Sequence, residues 1–147
     1  MKIVKTRNVK TPPRGTERSA GIDFFAPNDM EPITLYPGDA CNIPSGIHAK
    51  IPEGYALIAM EKSGVFLKKG LEVGAKVVDE DYQGEIHLSL VNGSKIESVI
   101  EPGEKIVQML LVPVSYSLPE VVSSLEDLYG GKITERGAGG FGSTGTK

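Results

Sequence analysis

Hydrophobic positions along the chain fall into short runs. Tyr55-Ala56-Leu57-Ile58-Ala59-Met60, Glu85-Ile86-His87-Leu88-Ser89-Leu90-Val91 and Lys105-Ile106-Val107-Gln108-Met109-Leu110-Leu111-Val112 are continuous or alternating in polarity. That is the pattern of strands buried on one or both faces. Pro37-Gly38, Pro52-Glu53-Gly54 and Pro102-Gly103 punctuate these runs. Proline presets φ and glycine accepts the left-handed backbone, so each pair reads as a tight turn. Turns this frequent leave little room for long helices. The pattern therefore predicts an all-β fold, a distorted jelly-roll or barrel of short strands, without a fixed-period repeat.

Some segments break that pattern. Ser63-Gly64-Val65-Phe66-Leu67-Lys68-Lys69-Gly70 has a residue able to cap, an apolar pair, late lysines and a closing glycine. It predicts a helix of one or two turns capped by Ser63. Ser123-Ser124-Leu125-Glu126-Asp127-Leu128 predicts one further helical turn. From Arg136 to Lys147 the chain is glycine-rich around one aromatic ring, and such a segment cannot offset the entropy of ordering itself. The expected organisation is one folded domain over residues 1–135, followed by a mobile arm over 136–147.

Composition narrows the setting. With 147 residues the chain suits a single core, and its 18 glycines and 10 prolines fit a turn-rich fold. Cys41 is the single cysteine, so no intrachain disulfide forms and a reducing compartment is expected. Met1-Lys2-Ile3-Val4-Lys5 is too polar for a signal peptide, and no apolar run reaches membrane-spanning length. A cytoplasmic protein without a membrane partner is expected. The net charge of −3 argues against a general nucleic-acid binder. His48 and His87 have no partner at metal-ligand spacing, and Asn92-Gly93-Ser94 fits a glycosylation acceptor only by accident in a cytosolic chain.

Candidate chemistry gathers in four places. The arm carries the Arg136 guanidinium, the Phe141 ring, the hydroxyls of Ser143 and Thr144, and unobstructed backbone N–H groups, which together suit a nucleotide. Its Gly137-x-Gly139-x-x-Gly142 spacing is not a dinucleotide loop, because no helix or second strand can follow in five residues, and Thr146-Lys147 is not a phosphate-loop ending. A disordered linker would seldom place an Arg and a Phe among its glycines. Free N–H groups at the start of the helix, beside Lys62, favour phosphate oxygens or simply belong to an ordinary connector. The turn Val77-Val78-Asp79-Glu80-Asp81-Tyr82-Gln83-Gly84-Glu85 is either a solvated hairpin tip or a ligand wall with a carboxylate able to orient water or a hydrated metal. Asp23, within Ala20-Gly21-Ile22-Asp23-Phe24-Phe25, either caps a turn or belongs to a charged site.

Taken in order, five segments resemble the trimeric dUTPase family over nearly the whole chain: Ala20-Gly21-Ile22-Asp23, Lys62-Ser63-Gly64, Val78 to Gly84, Gly103-Glu104-Lys105-Ile106-Val107-Gln108, and Arg136 to Gly145. The resemblance implies a jelly-roll homotrimer with shared active sites that uses Mg²⁺ to cleave dUTP between the α and β phosphorus atoms. By position, Asp79 resembles the carboxylate that activates the attacking water, and Tyr82 the ring that packs under deoxyribose. Lys76, Val77 and Val78, with His87, resemble the uracil-reading edge. Lys62, Ser63, Gly64, Gln108, Gly142, Ser143 and Thr144 resemble phosphate contacts, with Arg136 on the γ-phosphate and Phe141 stacked on uracil. Asp23 resembles an acid beside the metal-bound waters.

Departures from the family pattern fall in two places. Glu61-Lys62-Ser63-Gly64 stands where the family usually has Pro-Arg-Ser-Gly, and lysine loses the bidentate fork of arginine. Lys76 stands where glycine is common. Two other readings share the observations. A dCTP deaminase has a similar fold, but such chains are usually longer and lack this Asp-x-Asp-Tyr turn; a dUTP-gated binding protein would order its arm without turnover being its role. A viral or eukaryotic source would shift the expected compartment to host cytoplasm or nucleus.

Overall fold

The computed structural model describes residues 1–140 and residue 143. They fall into two compact units, Met1–Ser115 and Tyr116–Lys147. In chain order the strands are β1 (Lys2–Lys5), β2 (Ile22–Phe25), β3 (Ile33–Leu35), β4 (Ala40–Pro44), β5 (Ile47–Lys50) and β6 (Tyr55–Glu61). After helix α1 (Ser63–Lys69) come β7 (Leu71–Val73), β8 (Val77–Val78), β9 (His87–Asn92), β10 (Ser98–Ile100) and β11 (Lys105–Pro113). Helix α2 (Leu125–Tyr129) belongs to the second unit.

The apolar runs become the long strands because their alternation can face a common core. β11 pairs antiparallel with β6 from Val107↔Glu61 to Pro113↔Tyr55, and its other edge pairs with β2, giving a sheet ordered β2-β11-β6-β8. A second antiparallel sheet is ordered β4-β9-β7, and two ribbons, β1-β5 and β3-β10, flank them. One core joins them all: Phe24, Leu57 and Met109 from the first sheet, Ile43, Leu88 and Leu90 from the second, and Leu35, Ile47 and Ile100 from the ribbons. Full burial of each such side chain contributes about 1.5–3 kcal/mol. The sheets stay separate in their hydrogen bonding, so the architecture is jelly-roll-like without a closed barrel.

Strand boundaries depart from the apolar runs where another contact wins. β9 begins at His87 rather than Glu85, since the Ile86 N–H donates to the Ile47 carbonyl and the Ile86 carbonyl accepts from Ser45 (2.8 and 3.0 Å). The expected helix forms, but Ser63 is its first helical residue and not its cap. Lys62 holds the cap position with extended backbone and no side-chain cap bond, because an ammonium has no lone pair to accept a helix N–H; it binds Asp23, while the Lys62 carbonyl accepts the N–H groups of Val65 and Phe66. Gly70 closes the helix in the left-handed region at φ 62°, donating to the Phe66 carbonyl. The turn expected near Ser123 is α2, where the Ser124 side chain accepts from the Asp127 N–H.

Asn92 ties β9 to the connection that follows it. Its Nδ2 donates to the carbonyls of Leu35 and Ile96, and its Oδ1 accepts from the Ser94 N–H and hydroxyl, all within 2.9 Å. The side chain is fully buried, so this amide is engaged in packing rather than open to glycosylation. Replacing it leaves buried partners unsatisfied. Asn92→Ala is expected to lower unfolding free energy by about 1–3 kcal/mol, read as a drop in urea midpoint; an unchanged midpoint would remove Asn92 from the fold's supports.

Candidate active site

The site begins with a change of partner along one segment. β7 pairs with β9, and the Gly74 N–H still donates to the Ser89 carbonyl at 2.9 Å. A Cβ on Gly74 would lie 2.7 Å from the Ser89 hydroxyl, so glycine permits this last close approach. The chain then crosses to the other sheet, where the Lys76 carbonyl accepts from Ala59 at 2.7 Å and Val77 and Val78 align with Ile58 and Leu57. The expected hairpin is thus split, with β8 on β6 and β9 between β4 and β7. A β8 strand only two residues long cannot follow both sheets once they diverge.

The divergence opens a cleft of about 220 Å³ lined by Val77, Val78, Asp79, Tyr82 and His87, with Asn42 from β4. β8 is an edge strand. Antiparallel ladders turn alternate residues to opposite edges; with Lys76 directed to Ala59, the Val77 N–H and C=O face away from β6. Asn42 is a cleft residue that no local motif marks, because it arrives through cross-strand pairing with Ser89.

The acidic turn is tied down by some of its members and leaves another uncommitted. Glu80 accepts from the Gly54 N–H at 2.5 Å and Glu85 from the Gly46 N–H at 2.6 Å. The Tyr82 N–H donates to the Asp79 carbonyl at 3.2 Å, and its hydroxyl donates to the Glu85 carbonyl at 2.9 Å. This folds the ring over Gly84, where any Cβ would strike it. His87 Nδ1 sits 2.9 Å from the same Glu85 carbonyl, so Nδ1–H is the donor and Nε2 faces outward as an acceptor in the neutral ring. Asp79 is exposed, and its carboxylate has no hydrogen-bond partner among the described residues.

On the other side of β6 lies a charged cluster. Asp23 is buried on β2; Lys62 binds its Oδ1 and Lys105 approaches its Oδ2 at 3.1 Å. Burial pushes this carboxyl up, but the hydrogen bonds and charges of the two lysines outweigh it and hold it below the ordinary value. Asp23 is therefore part of a charged site, not a turn cap. Gln108, its cross-strand neighbour, donates from Nε2 to the Glu61 carbonyl at 2.8 Å, and Gly21 leaves room for the amide. Lys76 pairs with Glu61 at 3.1 Å. The Glu61 carboxyl is held low, first by its own backbone N–H and then by Lys76 and the Val73 N–H, against burial.

Among the described residues no group of three or more His, Cys, Asp and Glu side chains could hold a metal. Each Asp23 oxygen has one ammonium partner and keeps a second lone pair, so Asp23 fits a metal-bound water better than direct ligation. In the second unit, the Arg136 Nε donates to the Gly139 carbonyl and the Ser143 N–H to Gly140 (2.8 and 3.0 Å). The expected positions Phe141, Gly142 and Thr144 lie outside the described residues.

Comparison with known proteins adds identity to this geometry. The dUTPase family profile matches residues 7–145. The chain is 39% identical over 149 residues to a deoxyuridine 5'-triphosphate nucleotidohydrolase of Rickettsia felis, covering 99% of this chain and 96% of that one. It is 43% identical over 132 residues to the Chlamydia pneumoniae protein of the same name, covering 88% and 87%. The dUTPase of Staphylococcus bacteriophage 80alpha, solved with dUPNHPP, matches with a TM-score of 0.84 at 25% identity, over 99% of this chain and 98% of that one.

The Asp23 cluster has a pH signature. A carboxyl with a depressed folded pKa contributes stability above its unfolded value, and that contribution is lost as pH falls through the folded one. The loss is expected to set in as pH falls towards the ordinary value of 3.8, where the unfolded carboxyl takes up its proton, and to continue below it until the folded carboxyl is protonated too. Urea midpoints should therefore fall more steeply with acid in the unsubstituted chain than in Asp23→Asn. Parallel acid limbs would show that the cluster is not formed.

Proposed function

The chain belongs to the dUTPase family, and on that premise we propose that it hydrolyses dUTP to dUMP and pyrophosphate by water attack at the α-phosphorus. The observation that carries the mechanism is the uncommitted Asp79 carboxylate in the cleft, beside the outward backbone edge of Val77. Water at neutral pH is a poor nucleophile. Asp79 takes a proton from it as the new O–P bond forms, the bond from the α-phosphorus to the bridging oxygen breaks, and pyrophosphate leaves with that electron pair.

Base and sugar are read by shape and by donor order. The Val77 N–H and C=O, with the His87 Nε2 acceptor, offer a fixed pattern to uracil; cytosine reverses the donor and acceptor order at its fourth position, and a narrow slot rejects the thymine methyl. The Tyr82 ring, held by the Glu85 carbonyl, packs under deoxyribose and excludes a 2′-hydroxyl. Of the segment proposed for base reading, Lys76 has its carbonyl already committed to Ala59, so Val77 carries the recognition.

The phosphates meet the first N–H groups of α1 at Ser63 and Gly64, and Gln108. Lys62 contributes through charge: with Lys105 it leaves one net positive charge on the Asp23 cluster. Were Mg²⁺ bound, it would neutralise charge on the triphosphate, and Asp23, with a lone pair left on each oxygen, would hold it through a water. Arg136, Ser143 and Thr144 bind the outer phosphates, Gly142 brings backbone N–H groups close to them, and Phe141 covers uracil, as the arm shuts out bulk water. The assembly in this reading is a homotrimer with hairpin and arm from different chains, supported by the exposed apolar residues Leu118, Val121, Leu125 and Ile133 of the second unit. The setting is cytoplasmic, supported by the single cysteine.

A substrate panel tests this reading. Pyrophosphate release from dUTP, well above that from UTP, dCTP or dTTP, is expected; ammonia from dCTP would make the chain a deaminase, and binding without turnover would make it a nucleotide-gated protein. Asp79→Asn is expected to keep dUTP binding and lower turnover by about 10²–10⁴-fold. Near-normal turnover would assign the base elsewhere.

A further inference from the structure

Glu61 stands between the two halves of the proposed site, and the inference here rests on that reading of the site. It is the last residue of β6 and directly precedes Lys62, Ser63 and Gly64. Its carbonyl accepts from Gln108 Nε2 at 2.8 Å, on the phosphate side. Its carboxylate reaches the other way, where Oε1 accepts from the Val73 N–H and from Lys76 Nζ, both at 3.1 Å. Lys76 directly precedes Val77, whose free backbone edge faces the cleft. One residue therefore touches the phosphate-facing glutamine, the end of β7 and the start of β8. Glu61 and Lys76 are also two of the positions at which this chain departs from the pattern it otherwise matches, and the departures meet in one ion pair.

We infer that the Glu61–Lys76 pair is a positioning device that fixes the spacing between the uracil seat at β8 and the triphosphate seat at the start of α1. Lys76 and the Glu61 carboxylate do not contact the reacting atoms. The side chains are 46% and 26% exposed, so the pair adds little to stability. What it restrains is the short β8 strand, which among the described residues is held to β6 by the Ala59–Lys76 bond and its two ladder residues. A substrate that spans both seats gains from a fixed separation, because no ordering remains to be supplied on binding. A ligand that fills one seat gains nothing.

That asymmetry separates positioning from a merely structural or direct-contact role. The probes are a non-hydrolysable dUTP analogue, deoxyuridine and inorganic triphosphate, titrated onto the full-length chain and its Lys76→Met, Glu61→Gln, doubly substituted and Lys76→Arg variants. Glu61→Gln keeps an acceptor for the Val73 N–H while removing the charge. Each neutralising variant is expected to weaken the analogue about three- to tenfold while deoxyuridine and triphosphate change by less than about twofold. The double variant should be no weaker than either single one, Lys76→Arg should stay close to the unsubstituted chain, and KM for dUTP should rise with little change in kcat. Equal losses for a one-seat ligand, additive losses, or no loss for the analogue would each overturn the inference. Failure of the unsubstituted chain to bind the analogue or turn over dUTP would instead overturn the functional reading itself.

Discussion

Everything proposed for this protein depends on one constraint: a backbone that leaves one sheet must satisfy its polar groups on another. Between Gly74 and Lys76 the chain exchanges β9 for β6, and each side of the exchange is secured by a main-chain hydrogen bond below 3 Å. Because the two sheets diverge there, the exchange produces a cleft. Because β8 is the last strand of its sheet, it also leaves the Val77 N–H and C=O on its outer edge, without a main-chain partner among the described residues. An edge of this kind is a liability in most sheets; here a flat heterocycle can complete it.

Electrostatics divides the site in the same place. Glu80 and Glu85 are spent on the N–H groups of Gly54 and Gly46, and Asp23 on Lys62 and Lys105, so each has a structural partner. Asp79 alone among these acids keeps its carboxylate open to the cleft. The Asp23 cluster carries one more positive than negative charge, which suits a polyphosphate arriving on the α1 side. Tyr82 and His87 converge on a single carbonyl, that of Glu85, so the side chains proposed as sugar wall and base reader are oriented by the same atom.

Much of this was legible in the sequence, and the exceptions have physical reasons. The long strands β6, β9 and β11 follow the apolar runs because burial on a common core dictates the alternation. Strands such as β8 and β10 are too short to show a period and exist only through their partners. Ser63 carries the right residue type for a cap, but the cap position falls on Lys62, whose part-buried ion pair reaches Asp23, 39 positions away, a contact no local pattern marks. The acidic turn was visible as a candidate wall, while its split between two sheets was not, since sheet membership is a long-range property. Asn42 and the Glu61–Lys76 pair were invisible as site features for the same reason: each is made by strand pairing, not by spacing.

The central claim is that the outward edge of β8 is where the base binds, and main-chain hydrogen exchange at Val77 measures it most directly. With a non-hydrolysable dUTP analogue at saturation, the Val77 amide is expected to exchange at least about tenfold more slowly, while the Val78 amide, already directed into the ladder with Leu57, changes little. An unchanged Val77 amide in a chain shown to be saturated would contradict the account and move base recognition away from β8.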